Sequence, residues 1–406
     1  MISYRARRSL DWVNFTLADV GGGIGPFLSI YLLTDQHWSA GNIGLVLMCI
    51  SLAGLVFQTP AGALVDKTKC KRMVLIIASL ISIITTLVII LHPYFYSIII
   101  SQTVMGATSC IFGPLIAAIT LGMAGHKIFP EQVGRNQAFN HAGNVFAAVT
   151  IGLMGYYISN QSVFYMIMVM ALISIFLVLA IPKNEINDDI ARGFDEADIS
   201  MEHNPSSIFQ LLKNKTLIVF IFSIMLFHFA NAAMLPLVGQ KISLGNQNMS
   251  MILMSACIVV AQLTMLPVAI FIGKKADKFG RKPLFLLAFL SLPLRGIIFA
   301  YIDNPVWLVV AEVLDGIGAG IFGVLFLIVL ADITEGTGRY NLSQGLATTM
   351  VGVGASLSTY LSGLVVDSYG YDFAFGFLTV VAIIGLVVYF LFVPETKQKF
   401  NKLERG

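Results

Sequence analysis

The chain has 406 residues, 57% of them hydrophobic and only 12% charged, with a net charge of +3 and a mean hydropathy of +0.84. A soluble domain carries about 45–50% apolar and about 25% charged residues, so this composition argues against a soluble enzyme with a polar surface. Four cysteines (Cys49, Cys70, Cys110 and Cys257) are scattered without paired spacing, which excludes a disulfide framework and a zinc ribbon.

In chain order, twelve apolar runs lie near 12–33, 40–65, 73–91, 94–125, 137–158, 162–182, 217–238, 249–273, 283–302, 305–331, 342–366 and 373–393. Each approaches or exceeds the roughly 20 residues that a helix needs to cross about 30 Å of hydrocarbon. Barrel strands would be about ten residues long and alternating, so the runs predict an all-α membrane protein. The first run is too long for a cleavable signal, contains Asp19 and leads straight into the second. An even number of spans puts both termini on one side. Of the 25 Lys and Arg residues, 23 fall on that side; Lys241 is opposite and Arg295 lies within a span. That asymmetry predicts cytoplasmic termini. The acidic 183–216 stretch divides a 1–182 bundle from a 217–406 bundle and reads as a flexible tether, too short for a sensor domain.

The halves repeat. Gly62-Ala-Leu-Val-Asp66-Lys67-Thr-Lys69-Cys-Lys71-Arg72 follows span 2, and Gly273-Lys-Lys-Ala-Asp277-Lys278-Phe-Gly280-Arg281-Lys282 follows span 8, at an offset of 211. Gln102-Thr-Val-Met105-Gly106 in span 4 matches Glu312-Val-Leu-Asp315-Gly316 in span 10 at an offset of 210. Repeated membrane halves point to rocking about a midplane site. Through the 6+6 layout and the doubled G-x-x-x-D-[RK]-x-G-[RK]-[RK] loop, the whole chain resembles the major facilitator superfamily. The second copy fits the loop pattern fully; the first has Lys69 in place of its second glycine. The resemblance implies two pseudo-symmetric six-helix bundles and a cytoplasmic latch at Asp66. Gly62 and Gly273 would allow close helix approach, Asp66 and Asp277 would meet a helix N-terminus or a basic side chain, and Lys67, Lys278, Arg281 and Lys282 would anchor the loops to lipid. Topology-setting charge is the plainer alternative.

Charges inside spans cost about 2.5–3.5 kcal/mol on insertion scales and mark cavities. Asp19 shares a helix face with Gly22, Gly23 and Pro26, a run suited to kinking or opening the helix, or to a packing seam. Glu312 and Asp315 are one turn apart and repel, which suits one of them to carry a proton; Arg295 could instead hold them in a structural ion pair. His228 with Asn231, and His141 with Asn144, form inward polar pairs that either touch solute or satisfy themselves. Gln102 stands where many drug–proton antiporters of the resembled family carry arginine, and the 143–155 stretch lacks their Gly-Pro signature.

The G-x-G-x-x-G of Gly318–Gly323 lies inside a span without a preceding strand, so it is no dinucleotide fingerprint. The reading is therefore a secondary carrier and not an enzyme: a monomer in lipid, in a bacterial inner membrane, with no metal, nucleic acid or bound cofactor, driven by the proton gradient. Export of a small organic compound is the first reading, proton-linked uptake of a metabolite the second, and a non-transporting receptor the third.

Overall fold

The computed structural model describes residues 3–20, 24–188, 191, 213–245, 247–334 and 340–397. The described residues are helical almost throughout. In chain order the helices are α1 (Tyr4–Leu17), α2 (Ile24–Thr34), α3 (Ala40–Lys67), α4 (Lys71–Leu91), α5 (Phe95–Ser109), α6 (Phe112–Tyr157), α7 (Ser162–Ala180), α8 (Lys215–Ala232), α9 (Met234–Gly245), α10 (Ser250–Phe279), α11 (Arg281–Tyr301), α12 (Pro305–Thr334), α13 (Tyr340–Tyr369) and α14 (Tyr371–Phe392). Ten segments among the described residues are long and apolar enough to cross a membrane.

The helices are inverted relative to those of a water-soluble protein. On α4, Ile77, Leu80, Ile84, Leu87 and Leu91 are exposed along one stripe, while Ser79, Ser82 and Thr86 are wholly buried on the other. Ser79 donates to the Leu75 carbonyl at 2.9 Å and lies 3.3 Å from the Ser174 hydroxyl of α7. Lipid solvates the leucines as well as a protein core does, so small residues that permit close packing face inward.

Three of the twelve expected spans, 1, 4 and 7, differ from a single uninterrupted rod. Span 1 is split, with α1 ending at Leu17 and α2 starting at Ile24. Span 7 is split between α8 and α9 at Ala233. The second pieces carry Pro26 and Pro236, 210 residues apart and each in the first turn of its helix, where a missing N–H costs nothing. The N–H freed at Ala233 donates to Ser358 Oγ of α13 at 3.2 Å. The loop expected between spans 4 and 5 is instead a single reversed residue: α6 runs through 112–157 with Gly125 at φ +65°, and span 4 is interrupted earlier, between Ser109 and Phe112.

The chain forms two compact units: Met1–Met201 with Gly239–Ala256, and Glu202–Val238 with Cys257–Gly406. In the first, residues 239–256 join through glycine contacts, a Cβ at Gly155 falling 2.5 Å from Met251 and one at Gly239 3.4 Å from Ile30. The repeat is visible in packing. In the first unit, a Cβ at Gly106 would lie 2.1 Å from the Ile50 carbonyl oxygen, and one at Gly143 2.1 Å from that of Phe15. In the second unit, a Cβ at Gly316 would lie 2.5 Å from the Ala261 carbonyl oxygen, and one at Gly354 2.4 Å from that of Met225. All four partners correspond at offsets of 210 or 211.

Gly106→Ala forces α5 off α3 and should destabilise the protein by about 1–3 kcal/mol. Gly113→Ala, whose Cβ meets nothing within 4 Å, should leave the thermal unfolding midpoint in detergent near that of the parent. Equal midpoints for the two variants would refute the packing role of Gly106.

Candidate functional site

A buried polar cluster lies in the second unit. Arg295, on α11, is 1% exposed, and Glu312, on α12, is fully buried. Arg295 Nη1 donates to Glu312 Oε2 at 3.2 Å and also to Asp315 Oδ1, while Nη2 donates to Asn231 Oδ1 and Nε to Met234 Sδ at 3.3 Å. The guanidinium also lies 5.8 Å from the Phe299 ring centroid. Helical spacing explains the convergence: 312 and 315 share one face of α12, and Asn231 and Met234 flank the break in span 7. One guanidinium thus faces two carboxylates, and Glu312 Oε1 has no hydrogen-bond partner among the described residues. Removing one member of such a buried set leaves an uncompensated charge.

His228, one turn before Asn231, meets Phe322 edge-on, with ring centroids 4.6 Å apart. Phe322 in turn stacks on Phe227 and Phe326 at 5.1 and 5.3 Å. His228 Nε2 is buried without a hydrogen-bond partner. The structure therefore brings Asn231, Arg295, Glu312 and Asp315 together, and seats His228 against an aromatic stack.

The corresponding place in the first unit is neutral. Thr85 stands 210 residues before Arg295 and satisfies its hydroxyl on its own helix, at the Ile81 and Ser82 carbonyls. Gln102, the counterpart of Glu312, is fully buried, and neither of its amide atoms has a partner. Asp19 follows the end of α1, with Oδ2 buried and without a partner among the described residues. Pro26 is in the first turn of α2; Gly22 and Gly23 lie outside the described residues. His141 and Asn144 are half-buried on α6, with Asn144 Nδ2 3.4 Å from Asn140 Oδ1.

At the loop motifs, the close approach expected at Gly62 and Gly273 is absent, because a Cβ at either meets nothing within 4 Å. Each lies more than a turn before the end of its helix, with open space beside it; close approaches to an opposing carbonyl occur instead at glycines such as Gly106, Gly143, Gly316 and Gly354. The side chains of Asp66, Lys67 and Asp277 lie outside what is described. Gly280 does carry a constraint, with φ +87° and room for a Cβ taken by Glu395 Oε2 at 2.6 Å. Glu395 accepts from the backbone N–H groups of Arg281 and Lys282 at 2.9 and 3.1 Å, so it caps the N-terminus of α11. Arg281 Nε bonds Asp332 Oδ2 at 3.2 Å, and the ammonium of Lys282 lies 5.5 Å from the Phe390 ring centroid. Lys278 lies 5.8 Å from that of Phe279. Burial alone would raise the Glu395 carboxyl, but the N–H donors of Lys397, Arg281 and Lys282 and the Arg281 charge outweigh it and hold the group below the usual glutamate range.

Sequence reasoning missed Glu395, Asp332 and a network on the first unit. There Asp11, 1% exposed, receives Arg135 through Nε at 2.8 Å and Nη2 at 2.6 Å, and Gln132 links Arg7 to Asn136 at 2.9 and 3.0 Å. Ser3 N donates to Glu185 Oε2 at 3.0 Å. The one available signal was the recurrence of proline with a nearby glutamate after spans 6 and 12, Pro182 with Glu185 and Pro394 with Glu395.

The family model described as Major Facilitator Superfamily matches residues 12–292 and 244–406, and the chain belongs to that family. An uncharacterised MFS-type transporter of Mycobacterium tuberculosis (strain ATCC 25618 / H37Rv) is 45% identical over 392 residues, covering 97% of this chain and 94% of the relative. Lactose permease of Citrobacter freundii is 25% identical over 181 residues, covering 40% of this chain and 41% of its own. Among solved structures, a variant of the nucleoside transporter NupG superposes with a TM-score of 0.80 at 18% identity, covering 96% of this chain and all of its own. A D-xylose-proton symporter gives 0.70 at 15% identity, over 96% and 97%. The protein is thus a multi-pass integral membrane transporter of the major facilitator fold, and not an enzyme.

Arg295→Gln should cost about 3–5 kcal/mol by stranding two carboxylates, and adding Glu312→Gln should recover part of that loss. Thermal unfolding of the single and double variants in detergent measures the coupling; additive losses would dissolve the cluster. Because the Glu395 carboxyl is held low, its contribution is present above the ordinary glutamate range and is lost as pH falls through its folded value. Glu395→Gln should lower stability at pH 7 by about 1 kcal/mol after allowance for solvent screening, and should flatten the acid limb of an unfolding-midpoint-against-pH curve.

Proposed function

We propose that the protein is a proton-coupled secondary carrier that moves a small organic solute by alternating access. It would use twelve spans in bundles 1–182 and 217–406, joined by the 183–216 loop, with both termini in the cytoplasm of a bacterial inner membrane. The observation that carries the coupling is the charge count around Arg295, one guanidinium against Glu312 and Asp315. In a low-dielectric interior the excess negative charge is balanced by a proton or a cation. The unpartnered Glu312 Oε1 is the atom on which a proton can rest without displacing an existing bond. A proton there loosens the hold on Arg295 and frees Asn231 to turn toward solute, and its departure re-forms the ion pair. Two arrangements of one cluster then alternate with the proton, which is what coupling requires.

Asp19, Gln102 and His228 join the solute pathway in this reading because each carries a buried polar atom with no protein partner, and such atoms are costly unless something else meets them. His141 and Asn144 stand nearer the end of the pathway. The scarcity of charge favours a moderately hydrophobic solute and export against the proton gradient.

Everted vesicles given an imposed pH gradient and a panel of solutes test this. The parent should accumulate its solute and dissipate the gradient, and Glu312→Gln with Asp315→Asn should abolish both. Unchanged transport with unchanged pH dependence would remove the two carboxylates from the mechanism. Solute leaving the vesicles together with protons would replace export by proton-linked uptake.

A further inference from the structure

A groove of about 640 Å³ runs beside α1, α6 and α7, walled by Trp12, Phe15, Phe146, Met170, Ile173 and Leu177. At one end it opens on Arg5 and Arg8. A second concavity of about 320 Å³ shares Tyr4, Arg8 and Trp12 with it and adds Arg7, Asp11 and Arg135. The charges do not balance. Arg135 is committed to Asp11 and Arg7 donates to Gln132, while Arg5 and Arg8 are exposed and have no partner among the described residues. Arg5 and Arg8 therefore present two guanidinium groups without a partner among the described residues, at the mouth of an apolar channel.

The stripe is built into α1. Positions 5, 8 and 12 fall on one helical face, so two guanidinium groups precede a tryptophan that is 40% exposed, with the apolar groove beyond. Arginine forks match phosphate oxygens, tryptophan and tyrosine favour the headgroup level, and the groove is lined along α1 from Tyr4 to Thr16, about 18 Å of helix rise. A soluble anion would use the arginines and leave the groove empty; a neutral lipid would do the reverse. Charge complementarity selects a molecule with both parts.

We propose that this surface binds one anionic glycerophospholipid, with its phosphate on Arg5 and Arg8 and an acyl chain along Trp12, Phe146 and Ile173. The proposal rests on the membrane reading above only for the leaflet concerned. Binding measured in detergent needs no transport, so failure here and failure of the coupling mechanism are separable.

The test uses the full-length protein, stripped of lipid and titrated with phosphatidylglycerol or phosphatidylcholine of identical chains, with bound lipid counted by native mass spectrometry. Phosphatidylglycerol should bind tighter by about thirtyfold, from about 1 kcal/mol for each of the two arginines. Arg5→Gln with Arg8→Gln should erase that preference, while Lys213→Gln with Lys215→Gln, an equal loss of charge elsewhere, should keep it. Ile173→Trp, which narrows the groove and leaves both arginines, should weaken phosphatidylglycerol binding, and excess glycerol phosphate should not displace the lipid. Equal affinity of the parent for the two lipids overturns the site, whatever the variants do. So does equal loss in both charge pairs, undiminished binding by Ile173→Trp, or displacement by glycerol phosphate, which would make this a site for a soluble phosphate.

Discussion

A peptide group in hydrocarbon has no water to bond, and this constraint governs the rest of the molecule. It makes nearly every described segment a helix, because only a helix satisfies its own backbone over a span. It also turns each exception into a signal. The breaks after Leu17 and at Ala233 free backbone groups where a continuous rod would free none, and each adjoins one of the few polar side chains inside a span. The Ala233 N–H is met by Ser358, so its break is a supported feature of the fold.

The same constraint explains why buried charge is confined to one place in the second unit. Arg295 is tolerable because Glu312, Asp315, Asn231 and Met234 surround it, and the carboxylates are tolerable because of Arg295. No member can change alone without cost. In the first unit the corresponding positions hold Thr85 and Gln102. The hydroxyl is satisfied within its own helix, whereas the amide has no partner among the described residues. Scaffold and ion chemistry are thus separable: the glycine contacts recur in both copies, while at the Arg295 and Glu312 positions the charge appears in one.

The sequence disclosed most of the fold because lipid leaves so plain a mark on composition. Arg295, Glu312 and Asp315 were legible for the same reason: a charge inside an apolar run is conspicuous, and helical spacing puts 312 and 315 on one face. Asp11 was not legible, since it lies at the edge of a run where charge is ordinary, and its partner Arg135 is 124 residues away. The break at Ala233 was hidden because alanine favours helix; its signal was the match of Pro236 to Pro26. The loop-motif glycines Gly62 and Gly273 drew attention as packing positions, yet a Cβ at either meets nothing, while Gly106 and Gly316 of the second repeat and Gly143 and Gly354 approach an opposing carbonyl closely. For Gly143 and Gly354, among 36 glycines, only that geometry distinguishes them. Glu395 lay in a polar tail and gained meaning only once the start of α11 was seen to receive it.

The inequality between Thr85 and Arg295 bears on ancestry. A half-length precursor pairing with itself would carry an arginine in both copies or in neither, doubling an expensive ion cluster or forgoing it. Fusion of the duplicates into one polypeptide removes that compulsion, since each copy mutates on its own. Specialisation of one half for handling charge is therefore a liberty that covalent linkage confers and that a symmetric pair of identical subunits never has.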